Sequence, residues 1–411
     1  MFSLKNEEKY IKKTFILIQL IFMCVTLFTI FKYGNSLLLG SLEKFDNDDV
    51  RYIRSAWTLI NKKIISYHNI NESTVYIMPG LTFTLSFFTL LFGKFGGITA
   101  FKIFQLILQM TSIYLIFLIG RKVFNSKVAI IACILDALYI CEIYTANLIL
   151  MECSFKFLLL LLIYISIYAV ETKSIKLYIL GGIIWALACL FRPTVGAYPI
   201  VILIMWIKNK YNFKDIIKFT LIVSTVFCLI LSPWWIRNYK VFNMFIPFTK
   251  STGNPFLQGT YVHNNAVNPT PYKIVDDLIE QDTIEINTGI YRLKTYVTKK
   301  PLLYLYWYTI GKTLFLWAVP FYWKTILFIP SIVVTIYHWI ILIIGGIGIT
   351  KNIKKNENSL FIFLVILYFN LIYLPYYTFG RYSYPIMPLV MIFAASQIAL
   401  YLNKLKLQKT L

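Results

Sequence analysis

Long apolar segments recur from one end of this 411-residue chain to the other, and they constrain its fold more than any other feature. In a bilayer every backbone N–H and C=O group must be paired within the protein, so a lone apolar segment crosses as a helix. The composition agrees, because 58% of the residues are hydrophobic and 14% are charged, against about 25% charged in soluble domains. We therefore expect an all-α polytopic membrane protein.

Short basic tracts separate the apolar segments and predict the orientation of the chain. Lysine and arginine accumulate in cytoplasmic loops, and placing every basic tract on that side requires ten crossings with both termini in the cytoplasm. The predicted spans cover residues 14–33, 98–120, 128–146, 153–171, 177–191, 196–208, 215–232, 326–349, 359–377 and 385–402. Because the net charge of +22 arises in such loops, we expect no nucleic-acid partner.

Two further apolar segments are not among these ten spans, because an additional single crossing would move later basic tracts to the outer side. Residues 79–93 form a segment of about 15 residues, a length that suits an interfacial or re-entrant helix better than a span. Residues 302–320 are rich in Tyr and Trp and carry Lys312 near the middle, which favours a helix lying at the outer interface. If either segment crosses the membrane, the number of spans rises toward twelve.

Two long segments remain on the outer side, residues 34–78 and 233–300, and the second contains a predicted amphipathic helix around 275–299. Short inner loops and long outer loops place the working surface outside. We expect one integral-membrane domain over residues 1–411. The halves of the chain show no internal repeat of the kind that many transporters carry.

Acidic side chains mark the first of these outer segments, in the sequence "FDNDDVRY". Asp46, Asp48 and Asp49 either cap the helix that follows or act as proton acceptors, since a partly dehydrated carboxylate can deprotonate a hydroxyl. Glu152 lies at the predicted outer turn between two spans. Acids at membrane depth are costly and usually face a cavity or a partner, although Glu152 could simply begin its helix.

Basic side chains are predicted at the same depth. Arg192 precedes a proline that ends its helix, and Arg237 and Arg381 lie at the outer ends of two spans. A guanidinium can hold a phosphate with two hydrogen bonds, but Arg237 and Arg381 could equally anchor the chain at the interface. Asn254 follows Gly253 in a predicted turn whose backbone amides could contact a ligand, and we predict that Asn254 binds the phosphate of the donor. Acids that activate a hydroxyl and arginines that hold a phosphate together indicate attack on a phosphate-linked group presented from the lipid.

The chain resembles the bacterial membrane glycosyltransferases of the GT-C superfamily, in the branch related to dolichyl-phosphate-mannose–protein mannosyltransferases and aminoarabinose transferases. The similarity covers roughly residues 14–400, and it depends on the order and spacing of its segments. The matching segments are "DDVRYIRSA", "MPGLTFTLSFFTLLFG", "GRKVFNSKVAIIACILDALY", "NLILMECSF", "GGIIWALACLFRP", "SPWWIRNYKVFN", "STGNPFLQG" and "GRYSYPIMPL". The resemblance implies a GT-C-like bundle of about 10–12 transmembrane helices with a catalytic first outer loop.

This resemblance also implies roles for individual residues. Asp48 would be the catalytic base, with Asp49 beside it and Glu152 as the second acidic site. Arg192, Arg237 and Arg381 would meet the phosphate of the lipid. The implied reaction is transfer of a sugar, with inversion, from a polyprenyl-phosphate donor to a hydroxyl or amine of an acceptor. The acceptor would be a protein, a lipid or a cell-wall polymer. The protein would contact membrane lipids and act at the outer face of a bacterial cell membrane.

One departure from the family concerns a metal ion. Many relatives carry two prolines, sometimes after a glutamate, where this chain has Met78–Pro79–Gly80. A metal site that uses this glutamate is therefore not supported. The sequence predicts no cofactor with certainty, and it leaves open whether the protein requires a divalent metal ion. The alternative functions are a transporter or flippase of lipid-linked saccharides and a polymerase that shares the donor. Asp136 and Glu142, expected as interior polar residues with an unknown partner, would be the only acids available to a transport path.

Overall fold

The computed structural model describes residues 3–5, 7–266 and 269–408, and within them the chain is helical and has no strand. The all-α fold class is therefore confirmed. The helices, in chain order, are α1 (Lys9–Tyr33), α2 (Asp48–Lys62), α3 (Pro79–Val123), α4 (Ser126–Leu138), α5 (Ile140–Ala146), α6 (Glu152–Thr172), α7 (Ile175–Phe191), α8 (Pro199–Lys208), α9 (Phe213–Phe242), α10 (Gly253–Gly259), α11 (Leu278–Lys299), α12 (Pro301–Tyr306), α13 (Lys312–Trp317), α14 (Ser331–Asn352), α15 (Glu357–Tyr373), α16 (Gly380–Ser383) and α17 (Met387–Gln408).

Apolar helices occur at each of the ten predicted crossings. In the part of the chain that is described, six helical segments are long and apolar enough to span a bilayer. They are Lys9–Leu37, Pro79–Val123, Glu152–Thr172, Phe213–Phe242, Ser331–Asn352 and Gly380–Leu405. The pair α4 and α5, bent by 58°, would add a seventh, and three shorter apolar helices occupy the other predicted positions. The chain is a multi-pass membrane protein.

The two apolar segments outside this pattern are also helical. Residues 79–93 form the first part of α3, which is continuous with the predicted span 98–120 except for a break at Gly93, where φ is +74°. Glycine adopts this conformation without the strain that a side chain would add. Residues 301–317 run through α12, a π-helical turn (Trp307–Gly311) and α13. The amphipathic helix expected around 275–299 is confirmed as α11.

Contacts between loops define two ends of the bundle. At the first, called the basic end, Lys122 pairs with Glu171 at 2.7 Å, and Lys173 pairs with Asp215 at 3.0 Å. The opposite end, called the loop end, carries residues 34–78, 243–266 and 269–330. There Val50 and Ile53 of α2 are buried in a hydrophobic cluster with Leu81 of α3. This packing fixes α2 across the start of α3.

A buried ionic cluster ties the middle of the bundle together. Lys156 of α6 contacts Glu142 at 2.6 Å and Asp136 at 3.1 Å, and all three side chains are almost completely buried. Lys156 is thus the partner that the sequence left unassigned. The Tyr384 hydroxyl donates to Glu142 at 2.5 Å, and the Gln109 amide donates to that hydroxyl at 2.6 Å. The cluster therefore anchors the short segment that leads into α17.

Removing the lysine from this cluster should destabilise the fold. We expect Lys156→Met to lower the free energy of unfolding by about 3–5 kcal/mol, because two buried carboxylates lose their cation. The measurement is the unfolding midpoint of the purified protein in detergent. Lys127→Met, at an exposed lysine of the basic end, is the control and should change stability by less than about 0.5 kcal/mol. Equal stability of the two variants would contradict the role given to Lys156.

Candidate active site

The N-terminus of α2 places two neighbouring carboxylates in different surroundings. Asn47 caps the helix by accepting a hydrogen bond from the Asp48 backbone N–H, and acidic residues in the first turn favour the helix dipole. Asp49 is fully buried, and its carboxylate accepts from the backbone N–H groups of Leu39 at 2.5 Å, Gly40 at 3.2 Å and Val50 at 2.8 Å. Asp49 thereby folds the preceding loop onto the start of the helix.

Asp48, in contrast, keeps 44% of its side chain exposed. The Tyr67 hydroxyl donates to its Oδ1 at 2.7 Å, and Arg381 Nη1 donates to its Oδ2 at 3.0 Å. Burial acts to raise the pKa of Asp48, but the charge of Arg381 and these two hydrogen bonds outweigh it and hold the pKa below its usual value. Asp48 is therefore an ionised carboxylate at neutral pH that remains open on one side.

Arg381 connects Asp48 to a second acid. Its Nε donates to Glu152 Oε1 at 2.5 Å, and Arg192 Nη2 donates to the same oxygen at 2.7 Å. Asp48, Arg381, Glu152 and Arg192 thus form a continuous row of alternating charge, called the charge array below. Except for Asp48, its members are nearly completely buried. Two carboxylates and two guanidinium groups leave the array with no net formal charge.

Helix ends bring the charge array together. Glu152 is the first residue of α6, and Arg192 follows the last residue of α7, where Pro193 ends the helix. Arg381 lies in α16, directly after Gly380. A Cβ at Gly380 would lie 1.7 Å from the carbonyl oxygen of Val319, so only glycine permits this approach. Arg381 is thereby held against the segment that precedes α14.

Besides Asp49, two predicted site residues lie outside the charge array. Arg237 donates to the Thr74 carbonyl oxygen at 2.8 Å and to the Asn238 side chain at 3.0 Å. Asn254 donates to Glu285 at 3.2 Å. Both residues connect separate segments at the loop end. Of the seven predicted residues, the structure joins Asp48, Glu152, Arg192 and Arg381 directly and places Asp49 beside them in sequence.

Tyrosines complete the surroundings of the array, and the sequence reasoning did not single them out. Tyr67 contacts Asp48 as described, and the Tyr373 ring stacks on the Tyr382 ring with centroids 4.6 Å apart. The Arg192 guanidinium lies over the Tyr382 ring at 5.4 Å. The tyrosine-rich sequence "YYTFGRYSY" around Arg381 was the available signal.

The arrangement of donors does not fit a divalent metal ion. The Arg381 guanidinium lies between Asp48 and Glu152 and uses an oxygen of each. Within residues 3–5, 7–266 and 269–408, no group of three His, Cys, Asp or Glu side chains could hold a metal. A protein site for such an ion needs several oxygen ligands converging on one point. No step of the reaction proposed below therefore depends on a metal.

Comparisons with known proteins identify the fold. Residues 78–236, less than half of the chain, match the family described as dolichyl-phosphate-mannose-protein mannosyltransferase. No curated protein matches the sequence. Several solved structures are similar to it, among them the following three. The apo oligosaccharyltransferase of Archaeoglobus fulgidus has 14% identity and a TM-score of 0.60, with 99% of this chain and 52% of that chain covered.

The oligosaccharyltransferase AglB of the same organism, in complex with an inhibitory peptide and a dolichol-phosphate, has 14% identity and a TM-score of 0.59, with 98% of this chain and 52% of that chain covered. ArnT from Cupriavidus metallidurans, bound to undecaprenyl phosphate, has 11% identity and a TM-score of 0.49 over 93% of this chain and 59% of that one. The chain spans about half the length of the oligosaccharyltransferases. Residues 78–236 therefore have the sequence pattern of the dolichyl-phosphate-mannose-protein mannosyltransferase family, and the chain has a fold similar to that of the oligosaccharyltransferases.

Proposed function

We propose that this protein transfers a sugar, with inversion, from a polyprenyl-phosphate donor to an acceptor hydroxyl or amine at the outer face of a bacterial cell membrane. The observation that carries the proposal is the charge array at the loop end of a GT-C-like fold. There the exposed carboxylate of Asp48 contacts Arg381, and Glu152 connects Arg381 to Arg192. The dolichol-phosphate in the AglB complex supports a donor of this lipid class. The basic end, by its lysines, would face the cytoplasm.

Asp48 is the group proposed to accept the proton. Its carboxylate would take the proton of the acceptor hydroxyl or amine while the acceptor oxygen or nitrogen forms a bond to the anomeric carbon. The bond between that carbon and the phosphate oxygen breaks at the same time, and the lipid phosphate leaves with the bonding electron pair. Attack from the face opposite the phosphate inverts the configuration at that carbon.

Arg381 and Arg192 are proposed to hold the phosphate of the donor. In the structure both guanidinium groups already pair with carboxylates, so an incoming phosphate would compete with Asp48 for Arg381. A guanidinium that turns toward the phosphate no longer lowers the pKa of Asp48 as strongly. Asp48 would therefore become a stronger base once the donor is bound. Asp49 is proposed to position Asp48 through the loop that it holds.

The alternative of a transporter is less well supported. Asp136 and Glu142 were the acids available to a transport path, but both are buried and paired with Lys156. Such a cluster is a packing anchor, because none of its charges faces an open cavity or solvent. A polymerase would share the donor and the array, and its acceptor would be a growing saccharide.

We further propose that residues 1–411 act as one domain.

Replacing Asp48 should abolish transfer without unfolding the protein. We expect Asp48→Asn to reduce the rate of sugar transfer by at least about 100-fold, because the amide cannot accept the proton. The measurement is transfer of labelled sugar from a polyprenyl-phosphate donor in reconstituted membranes. Asp46→Asn is the control, since Asp46 is exposed and its carboxylate accepts from the Ser41 backbone N–H. Near-normal transfer by Asp48→Asn would refute its assignment as the base.

Replacing Arg381 should affect the donor more than the acceptor. We expect Arg381→Ala to raise KM for the donor by about 10–100-fold, because a charged hydrogen bond to the phosphate contributes about 1.5–3 kcal/mol. KM for the acceptor should change by less than about threefold. Lys240→Ala, at an exposed lysine of α9, is the control. An unchanged donor KM would leave Arg381 as a structural contact of Asp48 and Glu152.

Replacing Asp49 should loosen the loop that precedes α2. Asp49→Ala leaves backbone N–H groups of residues 39, 40 and 50 without their acceptor, at a cost of about 1–3 kcal/mol. Faster proteolysis within residues 39–50 and a lower unfolding midpoint are the expected results. Asp48→Asn, at the neighbouring position, provides the comparison. This variant should leave the rate of proteolysis and the unfolding midpoint nearly unchanged. If Asp49→Ala is as stable and protease-resistant as the unchanged protein, Asp49 does not hold this loop.

A further inference from the structure

A cavity lies at the loop end, between the segment that precedes α3 and the helices α10 and α11. Its volume is about 190 Å³, far above the roughly 15 Å³ that a single water requires. The lining includes Tyr76, Asn254, Gln281, Asp282 and Glu285. Its lining is therefore mainly polar, whereas an apolar ligand pocket would be lined by aliphatic side chains.

Helix α11 contributes its acids to this cavity in an unusual way. An amphipathic helix normally buries its apolar face, but α11 buries Asp282, Glu285 and Arg292 while Ile290 and Tyr291 are exposed. Asp282 and Glu285 lie on one face of the helix, three residues apart. The close approach of α10 secures this orientation, because a Cβ at Gly253 would lie 2.3 Å from the Asp282 carbonyl oxygen.

The two carboxylates have bonding capacity to spare. Asp282 is 4% exposed; its Oδ1 accepts from the Gly253 N–H at 2.6 Å, and its Oδ2 is buried without a partner among the described residues. Glu285 accepts at one oxygen, Oε1, from Asn254 at 3.2 Å and from Gln281 at 3.1 Å. Buried carboxylate oxygens normally accept hydrogen bonds. The unpaired Oδ2 of Asp282 therefore indicates that a bound ligand supplies the hydrogen-bond donor.

Aromatic rings connect this cavity to the charge array. Tyr76, in the lining, stacks on Tyr67 with centroids 5.5 Å apart, and Tyr67 donates to Asp48 at 2.7 Å. Burial and then the charges of Asp48, Glu285 and Asp282 raise the pKa of the Tyr76 hydroxyl. Tyr76 therefore lies within electrostatic reach of both the proposed base and the two cavity acids.

We propose that this cavity binds the hydroxyl groups of a sugar ring beside Asp48. Carboxylates and side-chain amides accept and donate hydrogen bonds to hydroxyls, and the rings of Tyr76 and His68 offer faces against which a sugar can pack. The lining carries two carboxylates, Asp282 and Glu285, against one lysine, Lys250, and this excess of negative charge disfavours a phosphate. Asn254, predicted as a phosphate ligand, is thereby assigned to the sugar. This inference rests on the proposed transfer reaction and assigns its saccharide subsite.

The sugar could belong to the donor or to the acceptor, and binding experiments distinguish the two. The variants are Asp282→Asn and Glu285→Gln, which keep the side-chain shape, with Glu280→Gln at an exposed acid of α11 as the matched control. The full-length protein in lipid nanodiscs is tested against undecaprenyl phosphate and against the same lipid carrying mannose, glucose or galactose. A parallel series uses the methyl glycosides of these sugars.

If the cavity holds the donor sugar, both variants should bind one of the sugar-bearing lipids about 10-fold more weakly and bind bare undecaprenyl phosphate unchanged. If it holds the acceptor, the same loss should appear only with a methyl glycoside. Glu280→Gln should match the unchanged protein throughout. Equal binding of every probe by all four proteins would overturn the inference. Failure of the unchanged protein to bind bare undecaprenyl phosphate would instead count against the proposed reaction itself.

Discussion

The placement of one guanidinium determines most of the candidate site. Arg381 contacts Asp48 with one nitrogen and Glu152 with another, and thereby connects the first loop-end segment to the start of α6. A buried arginine that lost both carboxylates would be strongly unfavourable, so the three positions must form together. The short segment that carries Arg381 is in turn secured at Tyr384 by the buried cluster around Lys156.

This dependence explains why the site is assembled from helix ends. At a helix end, backbone N–H or C=O groups lack partners within the helix, and the packed helix fixes the position of the chain. A side chain at that position is therefore held in a defined place beside the helix end. Glu152 and Arg192 occupy such positions on α6 and α7. Packing of the apolar helices thus sets the distances within the charge array, and loop conformation contributes mainly through residues 39–50.

Much of the fold was predictable from the sequence, because length, hydropathy and capping residues act locally. The helix after Asn47 and the amphipathic helix α11 appeared close to their predicted positions. The ion pairs and hydrogen bonds between side chains were not predictable, because they depend on which segments of the chain come together in the fold. Lys156, which lies beside an apolar run, was not singled out in the sequence, and Tyr67 gave no signal at all. The role of Arg237 at a phosphate stays a prediction, since its guanidinium contacts the Thr74 carbonyl oxygen. Asn254, which contacts Glu285, is proposed for the sugar instead.

The neutrality of the charge array has a consequence for selectivity. A bare cluster of arginines at a membrane surface would attract every anionic headgroup in the surrounding leaflet through its long-range field. Because each guanidinium in the array is already matched by a carboxylate, that field is largely cancelled. Ordinary phospholipids are therefore little concentrated at the site. Under the proposed reaction, the lipid phosphate enters by exchanging partners at contact distance, so its recognition would depend on shape and only weakly on ionic strength.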